Sequence, residues 1–90
     1  MEKYIKLVNL HWQLKIECCF KNKNKVYPSL IAWLHSGEAD KIFTGDEKIK
    51  LTKINNLRNL IMHGHFCEEV KQSDIDFMNE AILRVQNKCK

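Results

Sequence analysis

The scarcity of turn-forming residues is the feature that most constrains how this chain can fold. Its 90 residues include one Pro and three Gly, so few sharp reversals of the backbone are encoded. Proteins built from short strands need frequent turn residues, whereas long uninterrupted segments are typical of helices. The sequence therefore predicts an all-α fold. At this length we expect one domain over residues 1–90, with burial limited enough to favour a partner or a homodimer.

Apolar periodicity predicts four helices that form a bundle. The first covers residues 2–20, where the apolar stripe is broad enough to be buried on two sides. We expect Trp12 on this helix, like Trp33 on the second, to lie in the core. The second helix is short and has Pro28 in its first turn, where the missing N–H costs no hydrogen bond. Residues 37–46 should form a connector with one helical turn around Ala39 to Phe43.

The third and fourth helices are delimited by capping residues. The third is capped by Thr44 or Asp46 and runs to about His63, with a glycine immediately after it. The fourth runs over about residues 74–88 behind a cap at Ser73. Their predicted apolar stripes are Leu51, Ile54, Leu57, Ile61 and Met62 on the third helix, and Ile75, Met78, Ala81, Ile82, Val85 and Cys89 on the fourth.

Charge and cysteine content predict a cytoplasmic protein whose basic side chains can bind phosphate groups. The formal net charge is +4, a modest excess that suits a polyanion without resembling a highly basic tail. Two of the four cysteines, Cys18 and Cys19, are adjacent, and the N-terminus is charged from its start, so we expect reduced thiols and no secretory signal. No apolar run approaches the ~18 residues that a membrane span requires.

Arg58 is placed by the periodicity among apolar positions of the third helix. It follows Ile54 by four residues and precedes Ile61 by three. Arginine is rarely buried unless it is paired, and no acidic residue lies three or four positions away on this helix. We therefore expect its guanidinium to reach a partner on another element, a dimer cleft or a bound anion.

Asn59 and His63 lie four residues apart and share one face of the same helix. Arg58 and His63 are five residues apart, which corresponds to about 140° of rotation. The two side chains diverge within one chain, so a second copy across a two-fold axis is a reasonable way to complete a site.

The segment from Leu57 to Gly64 reads Leu-Arg-Asn-Leu-Ile-Met-His-Gly and resembles the R-N-x-x-x-H signature of HEPN ribonucleases. The preceding amphipathic stretch, the following glycine and the all-helical layout also fit this family. The resemblance implies a HEPN-like bundle of four or five helices, dimerised so that two motifs face each other across a positive cleft. It further implies a metal-independent endoribonuclease that needs no cofactor and leaves a 2′,3′-cyclic phosphate.

The resemblance also implies roles for individual residues. His63 would act as general base or acid, Arg58 would stabilise charge on the phosphorane, and Asn59 would hold the imidazole or the substrate. The following basic side chains are expected to contact RNA: Lys21, Lys23, Lys25, Lys53 and His65.

Small stand-alone members of the family commonly act as toxins or in antiviral defence. A nucleotidyltransferase-type antitoxin or a larger defence complex is therefore an expected partner, beside RNA and the second copy. Members controlled by such a partner often carry a modified tyrosine two residues after the motif histidine. This chain has His65 at that position, which argues against that form of control.

Structural alternatives exist for each of these residues. Arg58 could form an ion pair with Glu68, Glu69 or Asp76. His63 and Asn59 could serve as a C-terminal helix cap. The whole chain could be a non-catalytic helical binding or adaptor module that acts through the apolar face of its first or fourth helix.

A zinc-stabilised module is a further alternative. His63, His65 and Cys67 alternate along the chain and would project to one side of an extended segment. Cys18 or His11 could then complete a tetrahedral set of ligands. The spacing matches no common zinc finger, and the primary prediction contains no metal site.

Overall fold

Five α-helices and one π-helical turn form the secondary structure of residues 2–21, 26–64 and 70–88, the parts of the chain that the computed structural model describes. In chain order the elements are α1 (Glu2–Lys15), the π-helical turn (Ile16–Phe20), α2 (Leu30–Leu34), α3 (Gly37–Asp40), α4 (Gly45–Met62) and α5 (Gln72–Lys88). These ranges contain no strand, which confirms the predicted all-α class. None of the described helices is both long and apolar enough to cross a bilayer.

Helix α1 contacts both of the longer helices of the bundle. It packs along α5 and against α4, while the short helix α2 contacts α3, α4 and the π-helical turn. Their apolar faces enclose one core. Its most completely buried side chains are Leu7, Leu14, Cys18, Cys19, Leu30, Trp33, Leu51, Val70, Met78 and Val85.

Both ends of α4 agree with the predictions. At the start, the Thr44 hydroxyl accepts a hydrogen bond from the backbone N–H of Glu47 at 3.2 Å, and the Glu47 carboxylate accepts one from the backbone N–H of Thr44 at 3.0 Å. This reciprocal capping box satisfies two N–H groups that no helical carbonyl can reach. At the other end His63 is the C-terminal cap, and Gly64 adopts φ +82°, a left-handed conformation that favours glycine.

The first residues of the shorter elements differ from prediction. Ser29 is the N-terminal cap of α2, because its hydroxyl accepts a hydrogen bond from the Ala32 N–H at 3.1 Å. Pro28 therefore precedes the cap. The prediction that it lies in the first helical turn is wrong. The expected single helical turn of the connector starts at Gly37 and forms α3, which adds one helix to the four predicted.

The start of α5 also lies earlier than predicted. The helix begins at Gln72, because the Asp74 carboxylate accepts a hydrogen bond from the backbone N–H of Lys71 at 3.4 Å. Ser73 lies inside the first turn, so its prediction as the cap is wrong. Five of the six predicted members of its apolar stripe are buried, namely Ile75, Met78, Ala81, Ile82 and Val85. The sixth, Cys89, lies outside the described residues.

The broad stripe of α1 is buried on one side in the described parts of the chain. Leu7 and Leu14 are fully buried against α4 and α5, whereas Ile5 and Trp12 are more than half exposed. The prediction of a core tryptophan is thus confirmed for Trp33 and wrong for Trp12. Periodicity located the apolar residues of α1, but the number of neighbouring helices decides how many of them are covered.

The π-helical turn continues α1 with a wider hydrogen-bonding pattern. The Lys21 N–H donates to the carbonyl of Ile16 at 3.0 Å, a separation of five residues. The turn contacts α1, α2 and α5. Cys18 and Cys19 are both buried within it, and neither forms a disulfide among the described residues.

Candidate functional site

Arg58 lies in the C-terminal half of α4 with an incompletely satisfied guanidinium. The residue is partly buried, and its Nη1 donates a hydrogen bond to Oδ1 of Asn59 at 3.1 Å. Its Nε is buried and has no hydrogen-bond partner. Within the described ranges, the ion pairs are formed by other cationic side chains, and no carboxylate pairs with Arg58. A guanidinium in this state has donors to offer to an anion.

The ion pair considered as a structural alternative is not formed with Asp76. That carboxylate is exposed and accepts a hydrogen bond from the side-chain amide of Gln72 at 3.1 Å. The other two candidates, Glu68 and Glu69, lie outside the described residues.

A buried hydrogen bond between α1 and α4 lies beside Arg58. His11 Nε2 and Asn55 Oδ1 are 2.6 Å apart. Because the amide oxygen can accept but not donate, this contact assigns the imidazole hydrogen to Nε2 and leaves Nδ1 as an acceptor. Nδ1 of His11 is itself buried without a hydrogen-bond partner. Asn55 precedes Arg58 by three residues, so the two lie on neighbouring positions of one helix face.

The electrostatic surroundings of His11 are cationic. Burial is the main cause that lowers the pKa of His11 below its ordinary value of 6.5, and the hydrogen bond with Asn55 opposes it. The charges of Arg58 and Lys15 lower the pKa further. His11 is therefore neutral at pH 7, and the side-chain charges that act on it within the described residues are those of Arg58 and Lys15. This positive field favours the approach of an anion.

The sequence pattern indicated His11 only as a possible zinc ligand and did not indicate Asn55. A usable signal existed for His11, which follows Leu7 by four residues and precedes Leu14 by three. These two leucines are fully buried, so an imidazole between them has to be buried as well.

His63 occupies the C-terminal cap of α4 and is exposed to solvent. Its backbone N–H donates to the carbonyls of Asn59 and Leu60 at 3.1 and 3.2 Å. In the described part of the chain, no hydrogen bond joins the imidazole to Arg58 or Asn59. The amide of Asn59 instead contacts Arg58, so the structure places the expected orienting residue on the guanidinium.

The residues expected to contact RNA are dispersed. Lys53 is exposed and lines an open groove. Lys21 forms an ion pair with Glu17 at 2.9 Å, which balances its charge. The groove has a volume of about 650 Å³ and is lined by Leu34, His35, Gly45, Lys48, Ile49, Thr52 and Lys53. The remaining candidates, Lys23, Lys25 and His65, lie outside the described residues.

The described ranges contain no group of three or more His, Cys, Asp or Glu side chains arranged to hold a metal ion. Two members of the alternative zinc set, His65 and Cys67, lie outside those ranges.

Comparison of the chain with known protein families, with curated proteins and with solved structures found no match. The site is therefore defined by its own chemistry. It places a guanidinium with an unpartnered Nε near a buried, neutral imidazole. A second imidazole, that of His63, is exposed at the end of α4 and forms no hydrogen bond with either group among the described residues.

Proposed function

We propose that this chain is a metal-independent endoribonuclease of the HEPN type that acts as a homodimer. The observation that supports it most directly is the state of Arg58, a partly buried arginine with an unpartnered Nε and no carboxylate among the described residues. A buried polar group without a partner costs about 1–3 kcal/mol. A phosphodiester would bind at the solvent-facing part of this partly exposed guanidinium, because planar guanidinium groups bind phosphate oxygens in a bidentate manner.

The proposed reaction is transesterification within the RNA strand. The 2′-hydroxyl oxygen attacks the adjacent phosphorus, the bond from phosphorus to the 5′-oxygen breaks, and a 2′,3′-cyclic phosphate and a 5′-hydroxyl result. His63 of one copy takes the proton from the 2′-hydroxyl, and His63 of the other copy protonates the departing 5′-oxygen. Arg58 binds the non-bridging oxygens, on which negative charge grows in the transition state.

Two features of α4 support the homodimer. Arg58 and His63 point in directions about 140° apart on a regular helix, so one copy does not readily present both groups to one phosphate. The exposed apolar side chains of Leu60 and Met62 adjoin the motif, with 40% and 57% of their surface accessible. A second copy packed over this end of α4 would cover them and add its own His63. In this arrangement α1, the α2–α3 pair, α4 and α5 correspond to the four helices of the family.

A binding or adaptor module without catalysis is the second candidate. The exposed side chains of Ile5 on α1 and Leu83 on α5, each more than half accessible, favour this alternative. A module of this kind would bind another protein through the apolar face of one of these helices and would cleave no RNA.

The test is an RNA cleavage assay in the presence of EDTA. We expect the purified protein to cleave single-stranded RNA, and the Arg58→Ala and His63→Ala variants to lose about 100-fold or more of the rate. Arg84→Ala and His35→Ala are matched controls that remove the same side chains elsewhere. The 5′ fragment should end in a 2′,3′-cyclic phosphate.

Each arm of this assay has an opposing outcome. Cleavage that persists in both motif variants would remove the proposed site, and cleavage that stops in EDTA would remove the proposed mechanism. Absence of cleavage, together with a stable complex with another protein, would support the binding module instead.

A further inference from the structure

Two aromatic side chains lie exposed beside each other where α1 passes into the π-helical turn. The ring centroids of Trp12 and Phe20 are 6.5 Å apart, with their planes inclined at 53°. About half of each residue is accessible, 52% in both cases. Trp33, by contrast, is buried edge-on against Phe43. An exposed pair of large aromatic residues commonly marks a binding surface.

The π-helical turn aligns this pair. In a regular α-helix, residues eight positions apart differ by about 80° in direction. The wider turn between Ile16 and Phe20 rotates less for each residue, so Phe20 returns toward the face that carries Trp12. Local π-helical turns are uncommon and occur frequently at functional sites.

A lysine connects the aromatic pair to the surroundings of Arg58. The Nζ of Lys15 lies 5.9 Å from the centroid of the Trp12 ring. Its charge also acts on His11, the same imidazole on which Arg58 acts. Lys15 thus places a positive charge beside the aromatic pair, on the same helix as the imidazole that lies near Arg58. The acidic group of the π-helical turn, Glu17, is balanced by its ion pair with Lys21.

We propose that Trp12 and Phe20 form a stacking platform for unpaired bases of single-stranded RNA, whose phosphates run past Lys15 toward Arg58. This proposal rests on the proposed ribonuclease function and specifies its substrate as unpaired RNA. Every base presents a face on which an aromatic ring can stack, so recognition here tolerates different sequences. The lysine beside the rings favours a polyanion over an apolar partner surface, which would have to desolvate that charge.

Binding can be measured apart from cleavage. The probe is a 2′-O-methyl oligonucleotide of mixed sequence, which lacks the attacking hydroxyl. We expect it to quench the fluorescence of Trp12, and we expect Trp12→Leu to bind about tenfold more weakly while the fold stays intact. Lys15→Gln should lower the slope of log affinity against log salt by about one. The matched control is Leu83→Ala, which removes an exposed apolar side chain from α5 and should bind as the parent does.

The outcomes separate the platform from the nuclease. If Trp12→Leu binds the oligonucleotide as tightly as the parent, the platform is excluded, whether or not unmodified RNA is cleaved. If the parent binds through Trp12 but does not cleave unmodified RNA, the platform holds and the nuclease fails. If Trp12→Leu instead converts a dimer into a monomer in sedimentation and leaves RNA affinity unchanged, the aromatic pair belongs to a protein interface.

Discussion

The two ends of α4 treat their polar groups in opposite ways. At the N-terminal end, Thr44 and Glu47 cap each other, and Arg84 of α5 binds the same glutamate. Lys48 is paired with Asp40 of α3. The hydrogen bonds donated by the Thr44 backbone and by Arg84 lower the pKa of Glu47 below its ordinary value. Charges and caps at this end are satisfied by neighbours in the same chain.

The C-terminal end has the opposite character. Arg58 keeps a buried Nε without a partner, and His11 keeps a buried Nδ1 in the same state. The apolar side chains of Leu60 and Met62 are exposed at this end. The chain's two arginines illustrate the contrast, since Arg84 binds two carboxylates and Arg58 binds one amide.

The two ends of α4 therefore differ in how far their polar groups are satisfied within the chain. Groups that are fully satisfied contribute to stability, whereas buried groups left unsatisfied are costly to it. Substitution of the capping residues at the N-terminal end should therefore change the free energy of unfolding, and substitution of Arg58 or His63 at the C-terminal end should change activity.

Arg58→Met should give the largest effect, a loss of activity without a loss of stability. Methionine keeps most of the apolar stem while it removes the charge and the unpartnered Nε. We expect the cleavage rate to fall about 100-fold or more, with the free energy of unfolding unchanged or increased. Initial rates and urea unfolding measure the two quantities. A variant that loses stability in step with activity would show that Arg58 is a structural residue.

The His11–Asn55 pair should show strong coupling in a double-mutant cycle. Asn55→Leu leaves the Nε2–H of His11 buried and unpaired, which should lower the free energy of unfolding by about 1–3 kcal/mol. His11→Leu should have a similar cost because it strands the amide. The double variant should be close to the parent, since both polar partners are removed together. Additive losses would mean that the hydrogen bond contributes little.

Thr44→Ala should affect stability alone. Loss of the capping hydroxyl should cost about 1 kcal/mol of unfolding free energy, because the Glu47 N–H loses its acceptor. RNA cleavage per folded molecule should stay at the parental rate. A change in that rate would show that the two ends of α4 are coupled.

The pH dependence of stability should give the smallest effect. The pKa of His11 is lowered in the folded state, so near pH 6.5 the unfolded chain binds more protons than the folded chain. The free energy of unfolding should therefore fall as pH decreases from about 6.5 through the folded-state pKa, and the loss should be complete below it. His11→Leu should flatten urea midpoints measured between about pH 7.5 and 5, whereas His35→Gln should not. An unchanged slope in His11→Leu would assign the dependence to other groups.

Local chemistry made much of the fold predictable from the sequence. The bounds of α4 follow from a capping box within four residues and from a glycine in a left-handed conformation, and both signals are visible in the chain itself. The first residue of α5 was misplaced because Asp74, and not Ser73, accepts the capping hydrogen bond. Such a choice depends on side-chain rotamers that residue spacing does not encode.

The site could be predicted in part. Periodicity placed Arg58 among apolar residues, but the identity of its neighbour on α1 depends on how two helices cross. His11 and Asn55 are 44 positions apart, and no local pattern joins them. The exposure of Trp12 has the same origin, since an amphipathic pattern shows which residues are apolar but not how many faces find a neighbour.

The two adjacent cysteines of the π-helical turn can report local opening of this segment through their reaction with an alkylating reagent. Cys18 and Cys19 are buried between elements that contact the turn, and burial raises the pKa of the Cys19 thiol. Because the thiolate is the reactive form, alkylation must wait for this segment to separate from its neighbours. The rate at which Cys18 and Cys19 are labelled would therefore report how often the backbone segment that carries Phe20 opens, and no probe has to be introduced.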